Sequence, residues 1–245
     1  MPTADINFYS RTLGLHVPMN VITPRGKGPF SVLYLLHGLG GDCTAFGRSL
    51  PLADLIERRS IMAVCPTGGK SYYCNLAGTL GEEWESYLVR DVVRFIDGTF
   101  RTRDEPAGRA IGGISMGGYG ALMLALRHPD VFGSAFSMSG SLYFAAMPHP
   151  RGEEYQDELV KLVAPANYDL FRLAEQARQQ GTVPAVRFDC GTEDILVGCN
   201  RQFHARLDEL GIEHQYAESP GAHDMEYWQR QFPANLDFAA EKLRT

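Results

Sequence analysis

Residues Ile111–Ala121 read IGGISMGGYGA. Five of these residues are glycine, clustered around Ser115 and Met116. Glycine loses more backbone freedom on folding than any other residue, so such a cluster is costly inside a regular element. The cluster lies between an apolar run, Arg109–Ser115, and a helical pattern over Ala121–Arg127. It reads as a tight strand-to-helix turn with Ser115 at its apex. Gly113 and Gly117 flank the serine at two residues' distance, where side chains would collide across the turn. Gly118 and Gly120 would let the new helix pack closely on a sheet.

Further short apolar runs bounded by Gly or Pro lie on either side. They are Val32–Gly38, Ser60–Pro66, Phe132–Gly140 and Ala185–Gly191. Runs of this kind fit strands buried on both faces of a parallel sheet. Helical patterns fall between them, at Pro51–Arg59, Glu82–Asp97, Tyr168–Gln180 and Gly198–Leu210. In Glu82–Asp97 the residues Trp84, Leu88, Val92, Phe95 and Ile96 recur at spacings of three and four, the mark of an amphipathic helix. A last helix over His223–Leu243 is expected to break at Pro233. Leu13–Pro24 alternates like an antiparallel edge hairpin. Strands alternating with helices predict an α/β fold with a mostly parallel sheet. Ser141–Pro165 carries three prolines and mixed charge. It reads as an insertion over one sheet edge within a single domain spanning residues 1–245.

The chain has 245 residues, 44% of them hydrophobic, enough for one large core. Its net charge of −6 and lack of a basic block argue against nucleic acid or an anionic membrane as partner. No run approaches the roughly 20 apolar residues of a membrane span. MPTADINFYSRTLG, at the start, lacks a basic stretch followed by an apolar core, so a cytoplasmic location is expected. Cys43, Cys65, Cys74, Cys190 and Cys199 are scattered and contain no C-x-x-C pair. They read as free thiols, with neither a disulfide framework nor a zinc site.

Gly113–Gly117 matches G-x-S-x-G, and its strand–turn–helix setting is the one a nucleophilic serine requires. A serine nucleophile needs a base and a group to orient that base, here in the chain order Ser, acid, His. The loop after Ala185–Gly191 offers Asp194 first and Glu193 second. Asp189 lies inside the run and would point at a sheet face. His223, in the loop after Glu213–Pro220, is the candidate base. His37 precedes the serine and is expected to support its own loop, while His16, His128, His149, His204 and His214 read as surface or packing residues. Two N–H groups must hold a developing oxyanion. One is expected from Met116, the residue after the serine. The other is expected from Leu39, or its neighbour Gly40, in the glycine-rich loop Leu35–Phe46.

Together, LLHGLGGD, GISMGGYGALMLALRHPDVFGSAFSMSG, CGTED and PGAHDMEYW resemble the putative-esterase branch of the α/β-hydrolases. The resemblance runs from about Val32 to Trp228. It implies the triad Ser115, Asp194 and His223 and the oxyanion donors Leu39 and Met116. The wording is closest to tributyrin- or acetyl-esterase-like members. It implies a two-step acyl transfer through an acyl-enzyme, with no metal or organic cofactor and a small-molecule ester as partner. A homo-oligomer is compatible with it. Formylglutathione hydrolases carry GLTC after the oxyanion glycine, whereas this chain has Leu39-Gly40-Gly41-Asp42-Cys43. That thioesterase, a peptidase of the same fold and a catalytically silent binding protein are the alternatives.

Substrate contacts are expected from loops at the edge that carries Ser115. Gly68–Trp84 brings Tyr72, Tyr73 and Trp84, and the insertion brings Tyr143, Phe144 and Met147. Bulky walls would make a narrow acyl pocket. Acetyl to butyryl esters are therefore the expected substrates.

Overall fold

The computed structural model describes residues 2–76, 82–142 and 166–243. Its strands are β1 (Thr3–Ser10), β2 (Leu15–Ile22), β3 (Val32–Leu36), β4 (Met62–Pro66), β5 (Arg109–Ile114), β6 (Ser134–Met138), β7 (Ala185–Gly191) and β8 (His214–Ser219). They form one sheet in the order β1-β2-β4-β3-β5-β6-β7-β8. From β4 to β8 every pairing is parallel. The apolar runs became the central strands for a simple reason. Every residue of β3, β4, β5 and β6 is buried, so neither face of these strands meets water.

Helices cover both faces. Met116–Arg127, Leu170–Gln180 and Val197–Glu209 share one core with the segment around Tyr87–Ile96. Ala45–Ser49, Leu52–Glu57 and Met225–Lys242 share the other. The antiparallel edge expected from Leu13–Pro24 is a hairpin whose first strand lies further upstream. Thr3 pairs with Ile22 and Ser10 with Leu15, and β2 then pairs antiparallel with β4. β1 is mostly exposed, which weakened its apolar pattern.

Two helices depart from expectation. The Glu82–Asp97 pattern is realised as Trp84–Ser86, a π-helical stretch Tyr87–Val92, and Val93–Thr99. The wider turn brings Leu88, Val92, Val93 and Ile96 onto the buried side together. The last helix runs unbroken through Pro233. Proline removes one backbone donor and costs about 3 kcal/mol in a helix interior. Burial of Tyr227, Phe232, Leu236 and Ala239 on the same helix outweighs that cost. All five cysteines are free and buried. Tyr143, Phe144 and Met147 lie outside the described residues, as does nearly all of the expected insertion.

Candidate active site

β5 ends at Ile114 and the next helix starts at Met116, so Ser115 carries the whole reversal of direction. Its backbone is strained, at φ 56° and ψ −115°. The glycines make that turn possible. A Cβ on Gly113 would stand 2.4 Å from the Gly117 backbone, and one on Gly117 would stand 2.0 Å from the Leu36 carbonyl oxygen. The turn is held by the Ser115 N–H, which donates to Met138 O at 2.9 Å, and by the Ser141 N–H, which donates to Ser115 O at 3.1 Å.

Three side chains from three strand ends meet here. His223 Nε2 lies 3.0 Å from Ser115 Oγ. Its Nδ1 lies 2.9 Å and 3.1 Å from the two carboxylate oxygens of Asp194. A carboxylate only accepts, so Nδ1 carries the hydrogen and Nε2 is free to take the serine proton. Burial pushes the Asp194 carboxyl up. Hydrogen bonds from His223 and the Leu196 N–H outweigh burial and hold it below the usual carboxylate range. Glu193 turns elsewhere: its carboxylate accepts from Thr192 Oγ1 and from the Gly221 N–H. It therefore ties the loop of Asp194 to the loop of His223. Those two loops are already in contact, since a Cβ on Gly191 would stand 2.1 Å from Gly221 O.

His223 is placed from behind. Asp224 caps the last helix, its side chain accepting from the Tyr227 N–H at 2.9 Å. Tyr227 in turn donates its hydroxyl to Asp189 Oδ1 at 2.9 Å. Asp189 is buried beneath the site, and burial raises its carboxyl to about 6 against the pull of Asn235 and Tyr227. Trp228 meets the His223 ring edge to face, with centroids 5.0 Å apart.

The loop after β3 turns back on itself, with the Gly41 N–H donating to Gly38 O at 3.0 Å. A Cβ on Gly38 would lie 3.5 Å from Ser115 Cβ, so this turn sits directly beside the serine. Leu39 and Gly40 lie within it. Met116 opens its helix, so its N–H has no partner one turn earlier. The turn's shape depends on His37. The Gly68 N–H donates to His37 Nε2 at 2.9 Å, which leaves Nδ1 to donate to Gly38 O at 2.8 Å. Burial pushes the His37 imidazole down, favouring this neutral form.

Ser115 and His223 open into a cavity of about 360 Å³. Its apolar lining includes Phe46, Leu50, Ile195, Met225 and Trp228. Tyr72 also lines it. Tyr73 does not. It is fully buried under Gly68 and donates its hydroxyl to His37 O at 3.1 Å. Trp84 is also absent from the lining. It packs beneath Gly69, edge to face with Tyr87, and donates to Glu82 at 2.5 Å. These two rings hold the loop together from below. The lining residues not foreseen follow the glycine-rich loop, Asp194 or His223 by a few positions. Nearness to those motifs was their one signal in the sequence.

A strained serine at the end of the fifth strand of this eight-stranded sheet, with helices on both faces, defines an α/β-hydrolase fold. The family model described as "Putative esterase" matches residues 10–239, and the chain belongs to that family. It is 27% identical to an acetyl esterase of Caldicellulosiruptor saccharolyticus, over 94% of this chain and 95% of that protein. Among solved structures, it matches the fluorophosphonate-binding serine hydrolase FphF of Staphylococcus aureus with a TM-score of 0.87. Identity there is 23%, and 98% of each chain is covered. It matches the S-formylglutathione hydrolase FrmB of Staphylococcus aureus with a TM-score of 0.83 and 24% identity, over 98% of this chain and 100% of that one. The chain is a serine esterase. No helix among its described residues is long and apolar enough to cross a membrane.

Proposed function

We propose that the chain hydrolyses esters of short acyl groups, acetyl to butyryl, through Ser115, His223 and Asp194. The observation that carries this reading is the continuous relay from Ser115 Oγ through His223 to Asp194, at 3.0 and 2.9 Å, beside an apolar cavity. Ser115 Oγ attacks the ester carbonyl while His223 Nε2 takes its proton. Asp194 holds the ring and stabilises the imidazolium that forms. The N–H groups of Leu39 and Met116 receive the oxyanion. His223 then protonates the departing alcohol. In the second half it deprotonates water, which releases the acid and restores Ser115.

The cavity wall supports a short acyl group. Phe46 and Leu50 are bulky and buried against the last helix and its neighbours, so they do not yield easily. Leu39, Ile195 and Met225 are exposed at the rim, where an alcohol portion of varied shape can rest. The acetyl esterase relative, 27% identical along nearly its whole length, adds support.

The test is kcat/KM for p-nitrophenyl esters from acetate to palmitate, with fluorophosphonate labelling of the same preparation. Activity is expected to peak between acetate and butyrate. Ser115→Ala should lose labelling and about 10⁴- to 10⁶-fold in turnover. A peak at octanoate or beyond would overturn the acyl-length reading. A Ser115→Ala enzyme with a tenth of wild-type activity would overturn the nucleophile.

A further inference from the structure

Away from the catalytic cavity, two imidazole nitrogens face each other. His204 Nδ1, on the helix Val197–Glu209, lies 2.8 Å from His214 Nε2, at the start of β8. His214 Nδ1 lies 2.8 Å from the Ile212 carbonyl oxygen. A carbonyl only accepts, so Nδ1 carries the ring hydrogen and a neutral His214 presents a lone pair at Nε2. The His214 side chain is only 4% exposed, which fixes the direction of that lone pair. A backbone carbonyl orienting the far nitrogen in this way is the usual support of a metal-binding histidine.

Asp208 stands one helical turn beyond His204, so both side chains leave the helix on the same face. Its carboxylate oxygens lie 3.5 Å from His204 Nε2 and 4.0 Å from His214 Nε2. One ligand atom from each of the three residues falls within 4.8 Å of the others. With a neutral His204 the arrangement is poorly matched. If neutral His204 donates from Nδ1 to His214, its own Nε2 lone pair faces the Asp208 carboxylate, acceptor against acceptor. Nearby cations are engaged elsewhere: Arg201 pairs with Glu218, and Arg206 pairs with Glu175 and Glu209.

We propose that His204, His214 and Asp208 bind a divalent transition-metal ion of the zinc type, which clamps the helix Val197–Glu209 to β8. Two imidazoles and one carboxylate suit zinc, nickel or copper, and not magnesium or calcium, which take oxygen ligands. Zinc holds each nitrogen at about 2.0–2.1 Å, so two nitrogens on one tetrahedral ion stand roughly 3.4 Å apart. Opening the present 2.8 Å to that separation requires a small swing of His204, whose side chain is 38% exposed. Water completes the coordination on the exposed side. Cysteine spacing predicted no zinc site. This donor set contains no cysteine and assembles only when helix and strand pack.

The role is structural. The helix begins just after Asp194, and β8 ends just before the loop of His223. His214 opens β8 at the end far from the loop of His223, so the strand's length, about 17 Å at about 3.3 Å per residue, lies between them. The ion would therefore brace the two elements that carry Asp194 and His223 without reaching the substrate.

The experiment uses full-length protein with no polyhistidine tag, stripped with a chelator and dialysed. Zn²⁺ is titrated calorimetrically, Co²⁺ is followed by its visible absorption, and Tm is measured with and without Zn²⁺. One ion per chain is expected. At a Zn²⁺ concentration a hundredfold above the dissociation constant, Tm should rise by about 5–10 °C. His204→Gln should weaken binding at least about tenfold, the loss already incurred when only an outer partner of a ligand is removed. Asp208→Asn should weaken it too, and His223→Ala should leave it unchanged. His204 and Asp208 are partly exposed, so their variants should fold even if His214→Gln does not. Absence of binding at millimolar Zn²⁺ would overturn the proposal. So would binding that survives His204→Gln or disappears in His223→Ala.

Discussion

Gly117→Ala tests how the elbow and the Gly38–Gly41 turn depend on each other. The new Cβ would stand 2.0 Å from Leu36 O and 2.7 Å from His37 O, both backbone atoms at the end of β3. Real Cβ contacts essentially never fall below 3.0 Å, so the strand end must retreat by at least about 1 Å. His37 leads directly into the Gly38–Gly41 turn, and that turn moves with it. A misplacement of about 1 Å at reacting groups costs on the order of 10²-fold in rate. The fold should survive. Overpacking costs about 1–3 kcal/mol, and replacing glycine by alanine within a helix returns about 1 kcal/mol. For a chain of this size the remaining loss lowers Tm by a few degrees. Gly198→Ala is the matched control. Gly198 also lies in a helix, but its added Cβ meets nothing within 4 Å. It should stabilise by about 0.4–1 kcal/mol and leave turnover alone. The assay is kcat/KM on p-nitrophenyl butyrate, with a thermal melt of each variant. Gly117→Ala within fivefold of wild type, or both variants behaving alike, would refute the reasoning.

Asp194→Asn should cost about 10⁴-fold in kcat, because an amide can hold His223 in the wrong tautomer. Glu193→Gln loses one loop contact and should stay within about tenfold; the reverse ranking in kcat would move the acid to Glu193. Glu85 is buried against Arg127, His128 and Tyr168. Burial pushes its carboxyl up, but these three hydrogen bonds prevail and hold it at about 2. A lowered carboxylate stabilises the fold above its unfolded value and loses that contribution as pH falls through its folded one. Glu85 therefore contributes roughly 3 kcal/mol at pH 7, lost between about pH 4.5 and 2. Glu85→Gln should lower Tm at pH 7 and flatten the acid limb of Tm against pH; an unchanged limb would count against it. Leu50→Ala should shift the ester profile towards longer acyl groups, and Trp84→Ala should leave the butyrate-to-acetate ratio unchanged.

The elbow was legible because its logic is local. Gly113 and Gly117 are needed within one turn around Ser115, and no distant residue alters that need. The buried central strands were legible for a similar reason, since a strand covered on both faces must be apolar throughout. Asp194 and His223 stood out as candidates because each follows a strand in a short loop. Their meeting spans 108 residues of chain between Ser115 and His223 and 29 between Asp194 and His223.

What the sequence by itself determined was therefore a doubly covered parallel sheet, a strained serine turn and the residues eligible to serve it. What only the tertiary structure decided was which side chains share a space. Tyr73 and Trp84 sit on the expected loop yet point below it, because Gly68 and Gly69 leave room there for their rings. Phe46, Leu50 and Trp228 line the cavity instead, brought in by elements from opposite ends of the chain. Pro233 fails to break its helix because burial along that helix outweighs one lost hydrogen bond. His204 and His214 read as ordinary surface or packing residues until the helix Val197–Glu209 packs on β8 and sets their nitrogens 2.8 Å apart. Periodicity and glycine spacing report local backbone needs. Side-chain meetings depend on the register between distant segments, which is fixed only when the whole core closes.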